Sequence, residues 1–338
     1  MKKRIGMALA ALTAVALAGC ASGAETAPTN TSTSTASGSS GAFEKKDPLT
    51  IGYSIFDLQE PYFQAYLAGV QAEADAQGIE LLTFDQKSSE QEQVTGSANL
   101  INQGISALIV SPVQPDALPA TVDAAHAAKI PVVIGDVGAK GDYDVYIESD
   151  NIAGGGRAAE YLIDKLADAE GDKTVAIIGN PAGNVAGAAR AGGFKEGVAA
   201  EGSIELVGEV VGQTIDGAYK AAQDLLAANP DLTAIFCTNS NNVQGATRAA
   251  ETAGRDDLIV IGFNGDPVEL DLIADGKQTA TVAQDPYGQG RAAVVASLDL
   301  LDGKQVEFAD ASTRTILFAT EIVDADNLEA YQKKLAER

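Results

Sequence analysis

The chain has 338 residues, of which 46% are hydrophobic, and a formal net charge of -24 at pH 7. A protein this acidic repels phosphate backbones, so its charge argues against nucleic-acid binding. A single histidine and two cysteines exclude a His-rich metal site and a disulfide framework.

The N-terminus has the pattern of a bacterial export signal. The cationic start Met1–Arg4 precedes an apolar run from Ile5 to Ala18, which is shorter than the roughly 20 residues that a membrane-spanning helix needs. A secretory signal over residues 1–20 is therefore predicted. Leu17-Ala18-Gly19-Cys20 resembles the bacterial lipobox, which implies lipidation of Cys20; an ordinary signal peptide with an incidental cysteine is the alternative.

The next segment, residues 21–47, is rich in Ser, Thr, Ala and Gly. Such a segment buries too little apolar surface to offset its ordering entropy, and we expect a flexible tether. If Cys20 carries lipid, Cys237 has no intramolecular partner, and its apolar surroundings predict a buried side chain in a strand.

From Leu49 onward, short apolar runs alternate with amphipathic stretches. The runs predict strands at Leu49–Ile55, Glu80–Phe84, Ala107–Val110, Pro131–Ile134, Thr174–Ile178, Glu205–Val211, Ala234–Phe236, Leu258–Gly262 and Thr279–Ala283. The stretches predict helices at Pro61–Gln77, Ser89–Gln103, Asp116–Ala128, Ala186–Ala200, Gly217–Ala228 and Asn242–Ala253. This alternation indicates βαβ units and parallel sheets covered on both faces. Because it runs too long for one sheet, we predict an α/β protein of two doubly wound, Rossmann-like domains with a boundary near Asp150-Asn151.

Polar and aromatic side chains follow the predicted strands, where open parallel sheets bind their ligands. The segments are Phe56–Phe63, Gly135-Asp136, Gly179-Asn180 leading to Arg190, Thr238–Asn242, Phe263–Asp266 and Gln284-Asp285. Amides and carboxylates match vicinal hydroxyls, and aromatic faces cover C–H surface. The pattern therefore favours a polyhydroxylated ligand.

Enzyme chemistry finds little support in the residues. His126 is the only histidine, which makes a Ser-His-Asp triad a poor interpretation. The glycine-rich stretches Gly154–Arg157 and Gly179–Gly183 match neither the phosphate loop nor the dinucleotide fingerprint. We predict no catalytic residues, no metal and no cofactor.

From about Leu49 to about Val323 the chain resembles the type I periplasmic sugar-binding proteins of the ribose-binding kind, the receptors of ABC importers. The matching stretches are Glu60–Phe63, Ile134–Asp136, Glu148–Asn151, Ala188–Phe194, Val260–Gly265 and Ala280–Gln284. The resemblance implies an extracytoplasmic, monomeric receptor that works with ABC permease subunits. With Cys20 lipidated, it would be anchored on the outer face of the cytoplasmic membrane.

The resemblance also implies a hinge and a ligand site. Three crossings near Asn151, Gln284 and Arg314 would divide the chain into an N-terminal domain (residues 48–151 and 285–313) and a C-terminal domain (residues 152–284 and 314–338). Tyr62 and Phe63 would stack on the ligand, and Phe263 would line its pocket. Hydrogen bonds to hydroxyls would come from Asp136, Arg190, Asn239, Asn264 and Gln284.

Departures from the ribose-binding pattern bear on ligand identity. Val137 replaces an arginine, Asn264 an aspartate and Gln213 an aromatic residue, while Glu60 and Phe56 stand where an asparagine and a small polar residue are usual. We therefore expect a linear polyol or a less usual monosaccharide rather than ribose. A ligand sensor for a chemoreceptor or kinase, and a receptor for a nucleoside or signalling sugar, remain alternatives.

Overall fold

The computed structural model describes residues 43–181 and 183–338. Within that part of the chain, none of the helices combines the length and apolar character needed to span a bilayer. The predicted signal, Cys20 and residues 21–42 of the predicted tether lie outside the described residues.

The elements alternate between strand and helix along most of the chain. In chain order they are β1 (Thr50–Ile55), α1 (Pro61–Gln77), β2 (Glu80–Asp85), α2 (Glu90–Asn102), β3 (Ala107–Val110), α3 (Leu118–Ala127), β4 (Val132–Gly135), β5 (Val145–Ser149), α4 (Asn151–Lys165), β6 (Lys173–Gly179), α5 (Val185–Glu201), β7 (Ile204–Val211), α6 (Ile215–Ala228), β8 (Ala234–Cys237), α7 (Ser240–Ala253), β9 (Ile259–Asn264), α8 (Pro267–Ala274), β10 (Ala280–Ala283), α9 (Pro286–Leu301), β11 (Thr315–Phe318), β12 (Glu321–Asp324) and α10 (Leu328–Ala336).

The N-terminal lobe is built on a six-stranded sheet in the order β11-β5-β4-β3-β1-β2, with all neighbours parallel. Residues of α1 and α9 pack on one face, and residues of α2 and α3 pack on the other. Coverage on both faces explains why β3 and β4 are fully buried and read as continuous apolar runs.

The C-terminal lobe repeats this design. Its six-stranded sheet has the order β12-β10-β9-β8-β6-β7, and β12 alone runs antiparallel to its neighbour. Residues of α4 and α5 cover one face, and residues of α6 and α7 cover the other. The predicted fold class, two doubly wound parallel-sheet domains, is confirmed, and Cys237 lies buried in β8 as expected.

Three short segments connect the lobes within the described residues. The chain leaves the first sheet after Ser149, returns to it after Gln284-Asp285, and leaves again between β11 and β12. The prediction of a third crossing near Arg314 is wrong, because β11 pairs in parallel with β5 and so belongs to the N-terminal lobe. The crossing lies at Ala319-Thr320.

The folded body also begins earlier than the predicted tether end at residue 47. Phe43 packs against the N-terminal core and lies 5.8 Å from the ring of His126. The backbone N–H of Glu44 donates to the carbonyl of Lys129 at 3.0 Å. The packing of Phe43 and the backbone hydrogen bond of Glu44 thus hold the end of a segment whose polar composition predicted a flexible tether.

Candidate ligand-binding cleft

A cavity of about 310 Å³ lies between the lobes at the carboxyl ends of the parallel strands. Both lobes contribute polar and aromatic groups to it. Its lining consists of Phe56, Glu60, Pro61, Tyr62, Phe63, Asp136, Val137, Asn180, Asn184, Ala186, Arg190, Gln213, Asn239, Ser240, Asn241, Gln244, Asn264, Asp266, Val268 and Gln284. Concave sites of this size, with few charged groups among amides and aromatics, suit small ligands.

One wall of the cavity is aromatic. The rings of Phe56 and Phe63 stack with centroids 4.9 Å apart and planes 16° apart. Tyr62 meets Phe63 edge-on, with centroids 5.1 Å apart. These residues stand at the end of β1 and in the first turn of α1, where Pro61 starts the helix without losing a hydrogen bond. The wall offers apolar ring surface for the C–H faces of a ligand.

Arg190 is buried at the centre of the site. Its Nε donates to Asn151 Oδ1 at 2.8 Å, and its terminal nitrogens donate to the carbonyl of Thr238 at 3.0 Å and to Asn264 Oδ1 and Gln284 Oε1 at 3.3 Å. Burial lowers the pKa of Arg190, and the nearby charge of Asp136 opposes that shift. Because the guanidinium remains protonated in proteins, the site keeps one fixed positive charge.

Close packing of two helices positions Arg190. A Cβ at Gly155 of α4 would collide with the carbonyl oxygen of Arg190 on α5, and one at Gly193 would collide with the carbonyl oxygen of Ile152. Only glycine allows the backbones to approach this closely. This approach brings Asn151, the first residue of α4, within reach of the guanidinium.

A chain of hydrogen bonds between amide and hydroxyl side chains runs through the segments that connect the lobes. Tyr62 donates from its hydroxyl to Gln289 Oε1 at 2.8 Å, and Gln289 Nε2 donates to Ser149 Oγ at 2.8 Å. Ser149 Oγ donates to Gln284 Oε1 at 2.8 Å, and Gln284 Nε2 donates to Asn264 Oδ1 at 2.8 Å. The aromatic wall and the amides of the other lobe are therefore linked through the hinge itself.

Asp136 faces the cavity from the end of β4 in a left-handed conformation, with φ of 71°. Its Oδ1 is buried and has no hydrogen-bond partner among the described residues. Burial raises the pKa of Asp136, and the charge of Arg190 opposes the rise. A buried carboxylate oxygen without a donor is costly, so this atom is suited to accept a hydrogen bond from a ligand.

Two carboxyl groups share one hydroxyl beside the cavity. Ser240 Oγ lies 2.6 Å from Asp266 Oδ2 and 2.6 Å from Glu269 Oε1. Burial, reinforced by the charge of Asp266, raises the pKa of Glu269 to about 7. A hydroxyl carries a single hydrogen, so a second proton on one of the carboxyls completes both short bonds.

Residues 51–305 match the model of the periplasmic binding protein domain. The chain belongs to this family. The ribose import binding protein RbsB of Salmonella typhimurium is 35% identical over 259 residues, which cover 76% of this chain and 86% of that protein. The D-allose-binding periplasmic protein of Escherichia coli is 30% identical over 250 residues, covering 69% of this chain and 78% of that protein.

A solved relative has the same two-lobed architecture. The periplasmic solute-binding protein of an ABC transporter from Actinobacillus succinogenes, with bound D-allose, superposes with a TM-score of 0.76 at 25% identity. It covers 84% of this chain and 100% of its own. This periplasmic binding protein is thus a type I, sugar-binding receptor of the ABC importer class, acts outside the cytoplasm and is not an enzyme.

The structure brings together all but one of the predicted site residues. The cavity is lined by Phe56, Glu60, Tyr62, Phe63, Asp136, Arg190, Gln213, Asn239, Asn264 and Gln284. Phe263 is the exception. Its ring is fully buried against Gly154, with the guanidinium carbon of Arg190 4.0 Å from the ring centroid. The prediction that Phe263 lines the pocket is wrong, since the ring supports Arg190 from behind.

Several lining residues of this binding protein were not among the predicted site residues. Asn180, Ser240, Asn241 and Asp266 all belong to segments that follow strands, so the strand-end pattern contained their signal. Other missed residues come from just before a helix or from its first turns: Asn184, Ala186, Gln244 and Val268. To predict these residues, one would have to know which face of each helix points toward the cavity.

Proposed function

We propose that this binding protein captures a monosaccharide or sugar alcohol by hinge closure and delivers it to the permease of an ABC importer. The observation that carries the proposal is that both lobes contribute residues to the lining of the cavity. The aromatic wall and Asp136 belong to the N-terminal lobe, and Arg190, Asn239 and Asp266 belong to the C-terminal lobe. A ligand bound between them contacts both lobes only when the cleft is closed.

The chemistry of the lining supports a ligand rich in hydroxyl groups. Amide oxygens and nitrogens, carboxylates and one guanidinium provide both donors and acceptors, and the aromatic wall covers C–H surface. The relatives named for ribose and D-allose, and the solved relative with bound D-allose, bind ligands of this class. The substitutions at Val137, Gln213 and Asn264 favour a polyol or a monosaccharide other than ribose.

Closure would be a rotation of the lobes about the three crossings. Ligand contacts that form only in the closed state shift the population toward it. In the described structure the lobes come together at the mouth, where a Cβ on Gly138 would lie 4.0 Å from Val185 Cγ2. The permease would then recognise surfaces that closure brings together.

We further propose that Cys20 carries the lipid that holds the receptor on the outer face of the cytoplasmic membrane. The lipobox-like Leu17–Cys20 at the end of the apolar run supports this. Membrane fractionation of wild type and a Cys20→Ser variant tests it: wild type should sediment with membranes, and equal release of both would contradict lipid anchoring.

Thermal-shift screening of the mature protein against pentoses, hexoses, polyols, nucleosides and amino acids tests the ligand class. A ligand present at 100 times its dissociation constant adds about 2.7 kcal/mol to the unfolding free energy. We expect a rise in Tm with one or a few sugars or polyols. A rise confined to nucleosides or amino acids would contradict the proposed function.

A further inference from the structure

The charged groups of the cavity do not balance. Glu60, Asp136 and Asp266 bring three carboxyl groups to the lining, and Arg190 is the one basic side chain among the lining residues that the structure describes. The hydrogen bonds of Arg190 all go to neutral amide and carbonyl oxygens. The guanidinium therefore donates its hydrogen bonds to neutral oxygens and to none of the three carboxyl groups of the lining, which also outnumber it.

Glu60 and Asp266 line the same cavity from opposite lobes. Glu60 is the N-cap of α1 and Asp266 is the N-cap of α8. Desolvation first, and the charge of Asp266 second, raise the pKa of the Glu60 carboxyl. Among the described residues, Asp266 accepts hydrogen bonds only from the neutral Ser240 and Asn264, and Glu60 makes no capping bond to its own helix.

An independent feature points to a ligand rich in donors. Asp136 Oδ1 lines the same cavity, is buried and has no hydrogen-bond partner among the described residues. A buried carboxylate oxygen needs a donor, which a hydroxyl or ammonium group of the ligand can supply.

We propose that the ligand is an amino sugar or an aminated polyol whose ammonium group binds between Glu60 and Asp266. This proposal rests on the receptor function proposed above and refines its ligand class. The hydroxyl groups of the same ligand bond to Asp136 and to the amides of the C-terminal lobe.

Electrostatics gives the amine its advantage at closure. Closing the cleft brings two like charges together in a partly desolvated space, which disfavours the closed form. A neutral hydroxyl has one hydrogen and can satisfy one carboxylate, whereas an ammonium group has three hydrogens and a positive charge. The cation therefore turns an inter-lobe repulsion into charge-assisted hydrogen bonds on both sides of the cleft.

Isothermal titration calorimetry at neutral pH tests the proposal with matched pairs of compounds. The pairs are D-glucamine and D-glucitol, D-glucosamine and D-glucose, and 2-amino-1,3-propanediol and glycerol. We expect at least one amine to bind about tenfold or more tightly than its neutral counterpart. Glu60→Gln should reduce that ratio about tenfold, whereas Glu196→Gln, an exposed carboxylate of α5 that does not line the cavity, should leave it unchanged.

Two outcomes overturn the proposal. If neutral compounds bind and no amine binds more tightly than its counterpart, or if Glu60→Gln leaves the ratio unchanged, the amine preference is wrong and the sugar receptor stands. If none of the amines and no neutral sugar or polyol binds, the receptor function fails together with this refinement. Because Glu60 is exposed, Glu60→Gln tests the charge without disturbing the core.

Discussion

At the scale of single residues, the site is organised around a charge that the protein itself keeps in place. Arg190 is held by four neutral acceptors and by the face of Phe263. Three residues of the lining, Asp136, Gln213 and Asn264, have positive φ angles of 71°, 66° and 131°. Such conformations are unfavourable for residues with a Cβ and tend to occur at functional sites.

Arg190→Ala should weaken ligand binding by well over tenfold while the protein still folds. The substitution removes a charged donor from the cavity and takes from Asn151 Oδ1 the donor that it has in Arg190 Nε, and a buried charge-assisted bond is worth roughly 2 kcal/mol or more. Calorimetric titration with the ligand found by thermal shift measures the loss. Arg248→Ala, which removes an exposed arginine over Tyr219, serves as the control; unchanged affinity in Arg190→Ala would remove this residue from the site.

The Asp266-Ser240-Glu269 group predicts a pH dependence of stability. The pKa of Glu269 is about 7 in the folded chain against an ordinary 4.5, so the folded state holds this proton more tightly than the unfolded state. The resulting stabilisation is full below pH 4.5 and is lost as the pH rises through about 7. The difference corresponds to roughly 3 kcal/mol.

Urea unfolding at a series of pH values checks this. Glu269→Gln cannot ionise, so its unfolding free energy should fall less than that of wild type between about pH 4.5 and about pH 7. Glu196→Gln should follow wild type. Asp266, Arg190 and Cys237 interact electrostatically with position 269, and they are present in both wild type and the variant. Parallel pH profiles of wild type and Glu269→Gln would show that Glu269 does not hold the proton responsible for the pH dependence.

At the residue scale, the predicted positions agree with the cavity lining where a side chain stands at the end of a strand or directly after it. Asp136 and Gln284 follow β4 and β10 directly and Asn264 is the last residue of β9, and the geometry of a parallel sheet places all three at one edge. Phe263 failed because neighbouring residues of a strand point to opposite faces. Phe263 therefore points into the core while Asn264 faces the cavity, and sequence alone does not say which of these two neighbours meets the ligand.

At the scale of elements, the contact between α4 and α5 determines where Arg190 lies. The glycines of this contact also explain why α4 was not predicted. Its first turns read Asn-Ile-Ala-Gly-Gly-Gly, and glycine lowers helix propensity by about 1 kcal/mol per residue. The N-cap Asp150, which accepts a hydrogen bond from the N–H of Ala153 at 3.0 Å, and the packing on α5 offset that cost.

Gly155→Ala should disturb both stability and binding. Its Cβ would collide with the carbonyl oxygen of Arg190 and lie 2.8 Å from the backbone nitrogen of Phe194. We expect a loss of about 1–3 kcal/mol in unfolding free energy and weaker ligand binding, since the helix that carries Arg190 must move.

Gly156→Ala is the matched control, because a Cβ there has no heavy atom within 4 Å in the described structure. In the same helix, that change should be neutral or stabilise by up to about 1 kcal/mol. Equal effects of the two substitutions on unfolding and on ligand affinity would contradict the role of close packing.

Two of the other unpredicted elements, β5 and β12, have weak patterns for identifiable reasons. The strand β12 contains two acidic residues, Glu321 and Asp324, and runs antiparallel at the edge of its sheet. Similarly, β5 includes Glu148, whose carboxylate accepts from Tyr146 and Asn151 at the crossing. Both strands lie next to a crossing, and their polar residues interrupt the apolar runs by which strands are recognised.

At the scale of the whole molecule, two lobes of the same design are joined by segments that contain binding residues. Gln284 lies on a crossing, contacts Arg190 and Asn264 in one lobe and accepts from Ser149 in the other. Ligand contact and hinge geometry are therefore coupled through the same side chain. The alternation of elements predicted this architecture. The position of the third crossing, in contrast, depends on the pairing of β11 with β5, a long-range contact that the local sequence pattern does not encode.

The central claim, that a small solute closes the two lobes over itself, is tested most directly by an inter-lobe distance. Spin labels at Lys140→Cys and Asp216→Cys, exposed positions of the N- and C-terminal lobes, would report it by double electron–electron resonance; the native Cys237 is buried. We predict a long or broad distance distribution without ligand and a shorter, narrower one with the compound that raises Tm. Identical distributions with and without that compound would contradict hinge closure.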